Sequence, residues 1–142
     1  MTTKREAILA QVITTLAGTT NVGSRIYRSR VTPLTKGEMP CLIVEPLNDT
    51  PSLSISTYQW SLRIRVSILV KGTVANSADK VADPIVESVH SKLCTDATLN
   101  NKAMDITASN VTWELVDADQ ASGIVSMDYI IQYQTSTSDL TS

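Results

Sequence analysis

Phenylalanine is absent from this chain of 142 residues, and histidine occurs once, cysteine twice and glycine five times. Without phenylalanine, the core must be built from Val, Ile, Leu and Ala, with Trp60 and Trp113 as its largest candidates. The few glycines form no Gly-x-Gly-x-x-Gly turn, no P-loop and no Gly-x-Ser-x-Gly elbow. These shortages argue against a nucleotide-binding site or a hydrolase site.

The cysteines and the histidine are too few and too far apart for a standard zinc site. Cys41 and Cys94 are separated by 53 positions, which matches neither a metal-ligand spacing nor a disulfide framework. We expect two small apolar residues, buried or half-buried, and a disulfide is the alternative. His90 lies at the edge of an apolar helical arc and is interpreted as a structural residue.

No catalytic constellation is predicted. Asp117 and Asp119 are near neighbours in a predicted hairpin, but no further acid, base or metal ligand supports them as a pair. Solvated turn acids are the better interpretation. The sequence therefore predicts a protein that is not an enzyme, with no cofactor-binding residue, no metal-binding residue and no cofactor.

Charge is scarce and unevenly distributed. Charged residues make up 18% of the chain, below the typical quarter, and the net charge is −2. Residues 1–75 carry nine basic and four acidic side chains, whereas residues 76–142 carry three basic and ten acidic ones. Such halves could pair head to tail between copies, because a heterologous interface joins two different surfaces. The alternative is that the two halves interleave in the fold and their charges mix.

Long apolar runs are also missing. No run approaches the roughly 20 residues of a membrane span. The N-terminus, Met-Thr-Thr-Lys-Arg-Glu, has neither the apolar segment nor the cleavage site of a signal peptide. We expect a soluble protein made in a cytoplasm, with one domain over residues 1–134.

The first helix is predicted over Lys4–Ala17. Thr3 and Glu6 form a capping box, in which the hydroxyl and the carboxylate each accept a hydrogen bond from an otherwise unpaired backbone N–H. The apolar residues that follow recur at helical spacing, which is typical of a helix with one face in the core. Gly18 supplies the stop.

The second helix is predicted over Ser77–Cys94. Pro84 lies inside it and removes one helical hydrogen bond, on the side of the helix that faces solvent. We expect a kink at this position. The alternative is a restart, with Asp83 as N-cap and Pro84 as the first helical residue.

Five strands complete the prediction. The clearest is the third, in which apolar side chains from Trp60 to Val70 alternate with Ser, Arg and Lys, interrupted only by Leu69. This strand is long enough to extend past the domain body as an arm. Pro46 and the Asn-Asp-Thr-Pro run at 48–51 are expected to end the second strand in a loop. The predicted strands are Ser24–Val31, Cys41–Leu47, Thr57–Lys71, Asp105–Asp117 and Gly123–Gln134.

The element order predicts an α+β fold. Two amphipathic helices and a sheet with one apolar face form a two-layer sandwich, with a mainly antiparallel or mixed five-stranded sheet in the order α-β-β-β-α-β-β. Residues 135–142 are rich in Ser and Thr and poor in apolar side chains. We expect a flexible tail there, or one that a partner orders.

Arginines form two potential basic stripes. Arg28 and Arg30 share one strand face, and Arg63 and Arg65 share another, so the stripes could lie side by side. Phosphate binding would use such stripes, but aromatic stacking platforms are missing and the pI is about 5.3. A solvated face or a contact between subunits is the better interpretation.

The region from Arg25 to Val44 carries a family resemblance. It contains Tyr-Arg-Ser-Arg at 27–30, Pro-Leu at 33–34 and Glu-Met-Pro at 38–40, followed by an apolar strand. Together with the helix before it, and with the long strand and second helix after it, this pattern resembles the tail terminator family of long-tailed bacteriophages. The resemblance covers most of the chain as pattern and element order.

The resemblance implies a structural virion protein. It implies a ring, usually a hexamer, that caps the completed tail tube, stops polymerisation and offers its other side to head-completion proteins. The implied location is the head-proximal end of the virion tail, after assembly in the host cytoplasm. The resemblance implies no membrane partner, and it allows non-specific contact with DNA that passes through the ring. The alternatives are a neck or head-completion protein of the same virion and a non-catalytic α+β binding module.

The two charge balances suggest that a basic flank of one subunit meets an acidic flank of the next. Apolar contacts from Leu69 or from the long strand would supply most of the stability, because exposed ion pairs contribute roughly 0–1 kcal/mol each. The candidate interface residues are Arg28, Arg30, Arg63, Arg65, Leu69, Asp117, Asp119 and Asp128.

Overall fold

The computed structural model of the protein describes residues 2–29, 40–72, 77–96, 98–116 and 122–141. The order of its two helices and five strands confirms the predicted α+β class. In chain order the elements are α1 (Lys4–Leu16), β1 (Ile26–Arg28), β2 (Cys41–Ser54), β3 (Thr57–Lys71), α2 (Ala78–Thr95), β4 (Asp105–Val116) and β5 (Ser122–Ser136).

The strands form one mixed sheet in the order β1-β2-β3-β5-β4. β1 runs parallel to β2, and the other neighbours are antiparallel. β3 is central and is paired along its whole length with β5. The three-residue β1 and the twelve-residue β4 are therefore the two edges of the sheet.

The core lies between the helices and one face of the sheet. The alternation predicted for β3 is confirmed, since every second residue from Leu62 to Val70 is buried. β5 follows the same rule from Val125 to Tyr133. Both helices contribute buried side chains to this single cluster, so the predicted two-layer arrangement is confirmed. The helical members are Ile8, Leu9, Val12, Leu16, Ala78, Ala82, Ile85, Val89 and Leu93.

α1 begins at its predicted cap, Thr3, but the second half of the predicted capping box is not observed, because the Glu6 carboxylate pairs with Arg28. The Thr3 side chain accepts a hydrogen bond from the Glu6 backbone N–H at 3.2 Å, which satisfies one donor of the first turn. Gly18 has a φ of +82°, a conformation that glycine adopts without steric cost. The helix therefore stops at Leu16, one residue before the predicted end.

α2 is one continuous helix from Ala78 to Thr95, with Pro84 inside it. The alternative of a restart at Asp83 is therefore wrong. Pro84 is exposed, as its position on the helical wheel predicts. Water can satisfy the carbonyl that loses its helical partner on that side, which allows the helix to continue.

β2 is twice as long as predicted, and the expected loop at 48–51 is wrong. The strand continues through Pro46 and Pro51 to Ser54, and a register shift between Pro46 and Asn48 inserts one extra residue. β1 pairs with β2 only as far as Val44. Among the described residues, no strand therefore pairs with the two prolines on the side of β2 that faces away from β3. An edge strand tolerates proline because no ladder partner needs the missing N–H.

The large side chains are distributed differently from the prediction. Trp113 is 58% exposed on the edge strand β4, so it is not a core residue. Trp60 is only partly buried, and Tyr129 is the largest fully buried side chain. Cys41 is buried and Cys94 half-buried, as expected, and neither takes part in a disulfide bond.

The C-terminal residues contact the domain. β5 extends two residues past the predicted boundary, and Thr135 is buried and accepts a hydrogen bond from Trp60 Nε1 at 2.8 Å. The Lys4 backbone N–H donates to the Leu140 carbonyl at 2.9 Å, next to the start of α1. The predicted boundary at residue 134 is therefore corrected, because residues 135 and 136 belong to β5.

Candidate functional site

The arginines that the structure describes do not form two basic stripes side by side. Arg28 is in register with Val44, whose side chain is buried under the helices, and the Arg28 guanidinium pairs with Glu6 of α1. Arg63 and Arg65 alternate with the buried residues of β3 and so belong to the opposite face of the sheet. Arg30 lies outside the described residues. Arg28 and the β3 arginines therefore cannot present one continuous basic surface.

Arg65 and Asp128 form an ion pair within the chain. The two residues are directly opposite each other on β3 and β5, and Arg65 Nε donates to Asp128 Oδ1 at 2.9 Å. The Asp128 carboxylate is almost fully buried, and its hydrogen bond raises the pKa of the Arg65 guanidinium. Asp128 is therefore not available to the basic flank of another copy, which corrects its predicted role. The other two acids, Asp117 and Asp119, lie outside the described residues.

Leu69 has apolar neighbours that the strand pattern did not reveal. The register places it between Cys41 of β2 and Ile124 of β5, all on the sheet face opposite the helices. Leu69 and Ile124 are half-buried. Arg63 lies on the same face and has no ion-pair or hydrogen-bond partner among the described residues. Of the predicted interface residues that the structure describes, Arg63 and Leu69 thus remain candidates.

A cleft separates α2 from the edge of the sheet. It measures about 370 Å³, and its apolar lining comes from Val86 of α2 together with Ala108 and Val111 of β4 and Met127 of β5. Asp83, Glu87 and His90 of α2 stand along its helical side. This combination of an apolar groove and an exposed strand edge is typical of sites that receive an extended segment.

His90, Tyr129 and Cys94 meet at one end of this cleft. His90 Nδ1 lies 3.1 Å from the Tyr129 hydroxyl and 3.7 Å from Cys94 Sγ. Burial, together with the charge of Asp105, raises the pKa of the Cys94 thiol. A nucleophilic cysteine needs the opposite shift, because the thiolate is the reactive form. The shift at Cys94 is therefore opposite to the one that activates a cysteine nucleophile.

Alkaline pH is expected to destabilise the fold through Tyr129. Burial raises the pKa of this phenol above its ordinary value of 10.0, so the folded chain holds the proton more tightly than the unfolded chain does. Its contribution to stability is complete below pH 10 and is lost as the pH rises further. The free energy of unfolding, measured with urea at about pH 8 and about pH 11, should decrease less between the two pH values for Tyr129→Phe than for the native chain. An equal decrease in the two proteins would contradict this assignment.

A polar network joins α1 to the β2–β3 hairpin. Arg5 Nε donates to the buried Asp49 Oδ2 at 2.7 Å, and the Tyr133 hydroxyl donates to the same oxygen. The Arg5 guanidinium lies over the Trp60 ring at 5.5 Å, and Trp60 stacks on Tyr133 at 6.2 Å. Sequence reasoning missed this network because it placed Asp49 in a loop.

The turn of the β2–β3 hairpin exposes apolar side chains. Ile55 is fully exposed, at 105% of the reference area, and Leu53 is 68% exposed. Ile55 also has a φ of +22°, on the positive side that β-branched residues rarely adopt. The predicted extension of the long strand as an arm stays a prediction, and these two side chains lie near the end of β3 that begins at Thr57.

The described residues contain no group of three or more His, Cys, Asp or Glu that could hold a metal ion. None of the helices in the described ranges is long and apolar enough to cross a membrane. No protein-family model and no curated protein matches this chain.

Proposed function

We propose that this chain is a tail terminator of a long-tailed bacteriophage, a virion protein that caps the finished tail tube. The observation that supports the proposal is the order of elements around one mixed sheet, which contains the helix, the two strands, the long strand and the second helix on which the resemblance rests. The Cys94 environment, in which burial disfavours the thiolate, is consistent with a structural rather than a catalytic role.

The physical requirement on a terminator is asymmetry. A subunit that matches the tube on one side only leaves no template for the next ring, so polymerisation stops. The described part of the chain is asymmetric in this sense, because both helices cover one face of the sheet while the other face carries Arg63, Leu69 and Ile124. In the proposed ring, usually a hexamer, different surfaces of each subunit contact the tube, the neighbouring copies and the head-completion protein.

Deletion of the gene from a phage that encodes this chain is the test. Electron micrographs of the deletion strain are expected to show overlong or unterminated tubes, and heads without tails. Expression of the native chain from a plasmid should restore tails of normal length. Tubes of normal length that fail to join heads would instead favour the neck or head-completion alternative. Normal tails attached to heads would contradict any role in tail completion, and would leave the non-catalytic binding module as the alternative.

Among the arginines that the structure describes, the interface hypothesis for the basic face now depends on Arg63. Arg65 already has a partner inside the chain, so its reversal would disturb the fold as well as any interface. Arg63→Glu is expected to reduce incorporation into virions, measured by immunoblotting of purified particles, while Ser67→Glu on the same face serves as a control for added negative charge. Incorporation at the native level would exclude Arg63 from the contact.

A further inference from the structure

The turn of the β2–β3 hairpin combines two unfavourable features in one residue. Ile55 is fully exposed to solvent and holds a positive φ, although Asn or Gly would occupy this position with less strain. Ile55 is the first central residue of a two-residue hairpin turn, a position that requires a positive φ and is usually occupied by Gly or Asn, so a β-branched apolar side chain is unusual there. Leu53 is exposed two residues earlier, so the turn presents two large apolar side chains; we call residues 52–57 the hairpin tip.

The cleft between α2 and β4 has the complementary surface. Its floor is apolar, formed by Val86, Val111 and Met127, and its volume of about 370 Å³ accommodates aliphatic side chains. The edge strand β4 extends this apolar surface, because Trp113 is exposed two residues beyond Val111 and therefore on the same face.

The polar groups around the two surfaces also match. The hairpin tip carries no charge, so its burial would desolvate no ionised group. Four of its six residues are Ser or Thr, whose hydroxyls can donate hydrogen bonds. Asp83 and Glu87 at the rim of the cleft offer carboxylates, which only accept hydrogen bonds. The hydroxyls of the tip can therefore donate hydrogen bonds to the carboxylates at the rim of the cleft.

The tip cannot reach the cleft of its own chain. Ala108 of the cleft is in register, through Tyr129, with Ile64 of β3. Thr57 at the tip is seven residues further along β3, which corresponds to roughly 24 Å at the rise of an antiparallel strand. β3 and β5 also stand between β2 and β4 in the sheet. A hairpin tip that occupies the cleft must therefore belong to a second copy of the chain.

We propose that the hairpin tip of one copy inserts into the α2–β4 cleft of the next, with Ile55 and Leu53 against Val86, Val111 and Met127. The contact joins two different surfaces, so it repeats head to tail and closes into a ring when the rotation between copies allows. The inference rests on the proposed function, which requires a ring, and it identifies the surfaces that hold neighbouring subunits together.

Two variants interrupt the contact from its two sides. Ile55→Asp places a charge on the tip, where the side chain is fully exposed in the single chain, and Ala108→Trp fills the cleft from an exposed position. In sedimentation velocity at concentrations up to ~1 mM, the native chain should self-associate, and each variant should weaken association at least about tenfold. Leu140→Asp, which alters an exposed apolar residue outside both surfaces, is the control and should associate like the native chain.

Mixing the two variants distinguishes this contact from a general loss of association. The Ala108→Trp chain keeps an intact tip, and the Ile55→Asp chain keeps an intact cleft. An equimolar mixture should therefore form pairs that grow no further. Circular dichroism and the thermal midpoint of each variant establish that both remain folded.

Three results would overturn the proposal: a native chain that stays monomeric up to ~1 mM, an Ile55→Asp chain that associates normally, or a mixture of variants that forms no pairs. None of these would affect the proposed function, which depends on the tail lengths of the deletion strain. Conversely, normal tails in the deletion strain would contradict the tail terminator role. Pairs formed by the mixed variants would still support the contact between copies.

Discussion

Ile64→Ala is expected to lower the free energy of unfolding by about 2–5 kcal/mol. Ile64 is fully buried at the centre of β3, the strand that lies between β2 and β5. Truncation removes apolar contacts with the helices and leaves a cavity, because the paired strands on both sides restrict collapse around it. Equilibrium urea unfolding, followed by circular dichroism, measures the change.

The matched control lies three positions away on the same strand. Ser67→Ala alters a half-buried residue on the opposite face and should change stability by less than about 0.5 kcal/mol. A second pair increases the contrast: Ile64→Asp should prevent folding, whereas Arg63→Asp should leave a folded chain. Equal destabilisation by Ile64→Asp and Arg63→Asp would mean that the two faces of β3 have been assigned wrongly.

Arg65→Met should destabilise the chain by about 2–3 kcal/mol at neutral pH. The substitution removes both hydrogen bonds to Asp128 and leaves a buried carboxylate without its counterion. The Arg65 side chain is 38% exposed, so water screens part of the interaction and the loss falls below that of a fully buried pair. Urea unfolding of the isolated chain gives this value directly.

Arg63→Met is the control, since it removes the same charge from the same face of β3 without breaking an ion pair among the described residues. It should stay within about 0.5 kcal/mol of the native chain. Replacing both partners, as in Arg65→Met with Asp128→Leu, should recover most of the loss, because the buried charge disappears. A double variant as unstable as Arg65→Met alone would show that the pair is not the cause.

The Arg65–Asp128 and Arg28–Glu6 pairs also bear on the charge asymmetry between the two halves of the chain. Arg65 comes from the basic half and Asp128 from the acidic half, and the fold brings them together within one molecule. Arg28 and Glu6 pair inside the basic half, as do Arg5 and Asp49. Of these three pairs, Arg65–Asp128 alone joins the two halves, and the pairs inside the basic half leave its excess of positive charge unchanged. Apolar contacts remain the main source of affinity in the proposed ring.

The sequence by itself determined the elements that have strong local signals. Capping by Thr3, the helical spacing after it and the stop at Gly18 define α1, because these interactions involve residues within a few positions of one another. Strict alternation located β3 and its buried face, since a period of two is incompatible with a helix. The α+β class followed from the order of such elements.

The tertiary structure alone decided which residues meet across strands. Pro46 and Pro51 end a strand by local rules, but β2 continues through them because its outer side has no ladder partner among the described residues. Trp113 has the pattern of a core residue and is exposed because β4 is an edge. The pairing of Arg65 with Asp128, 63 positions apart, depends on register, which local propensity does not encode. The cleft arises from the long-range packing of α2 against β4 and β5, and the tip from the continuation of β2 through its prolines, so neither surface was predicted from the sequence.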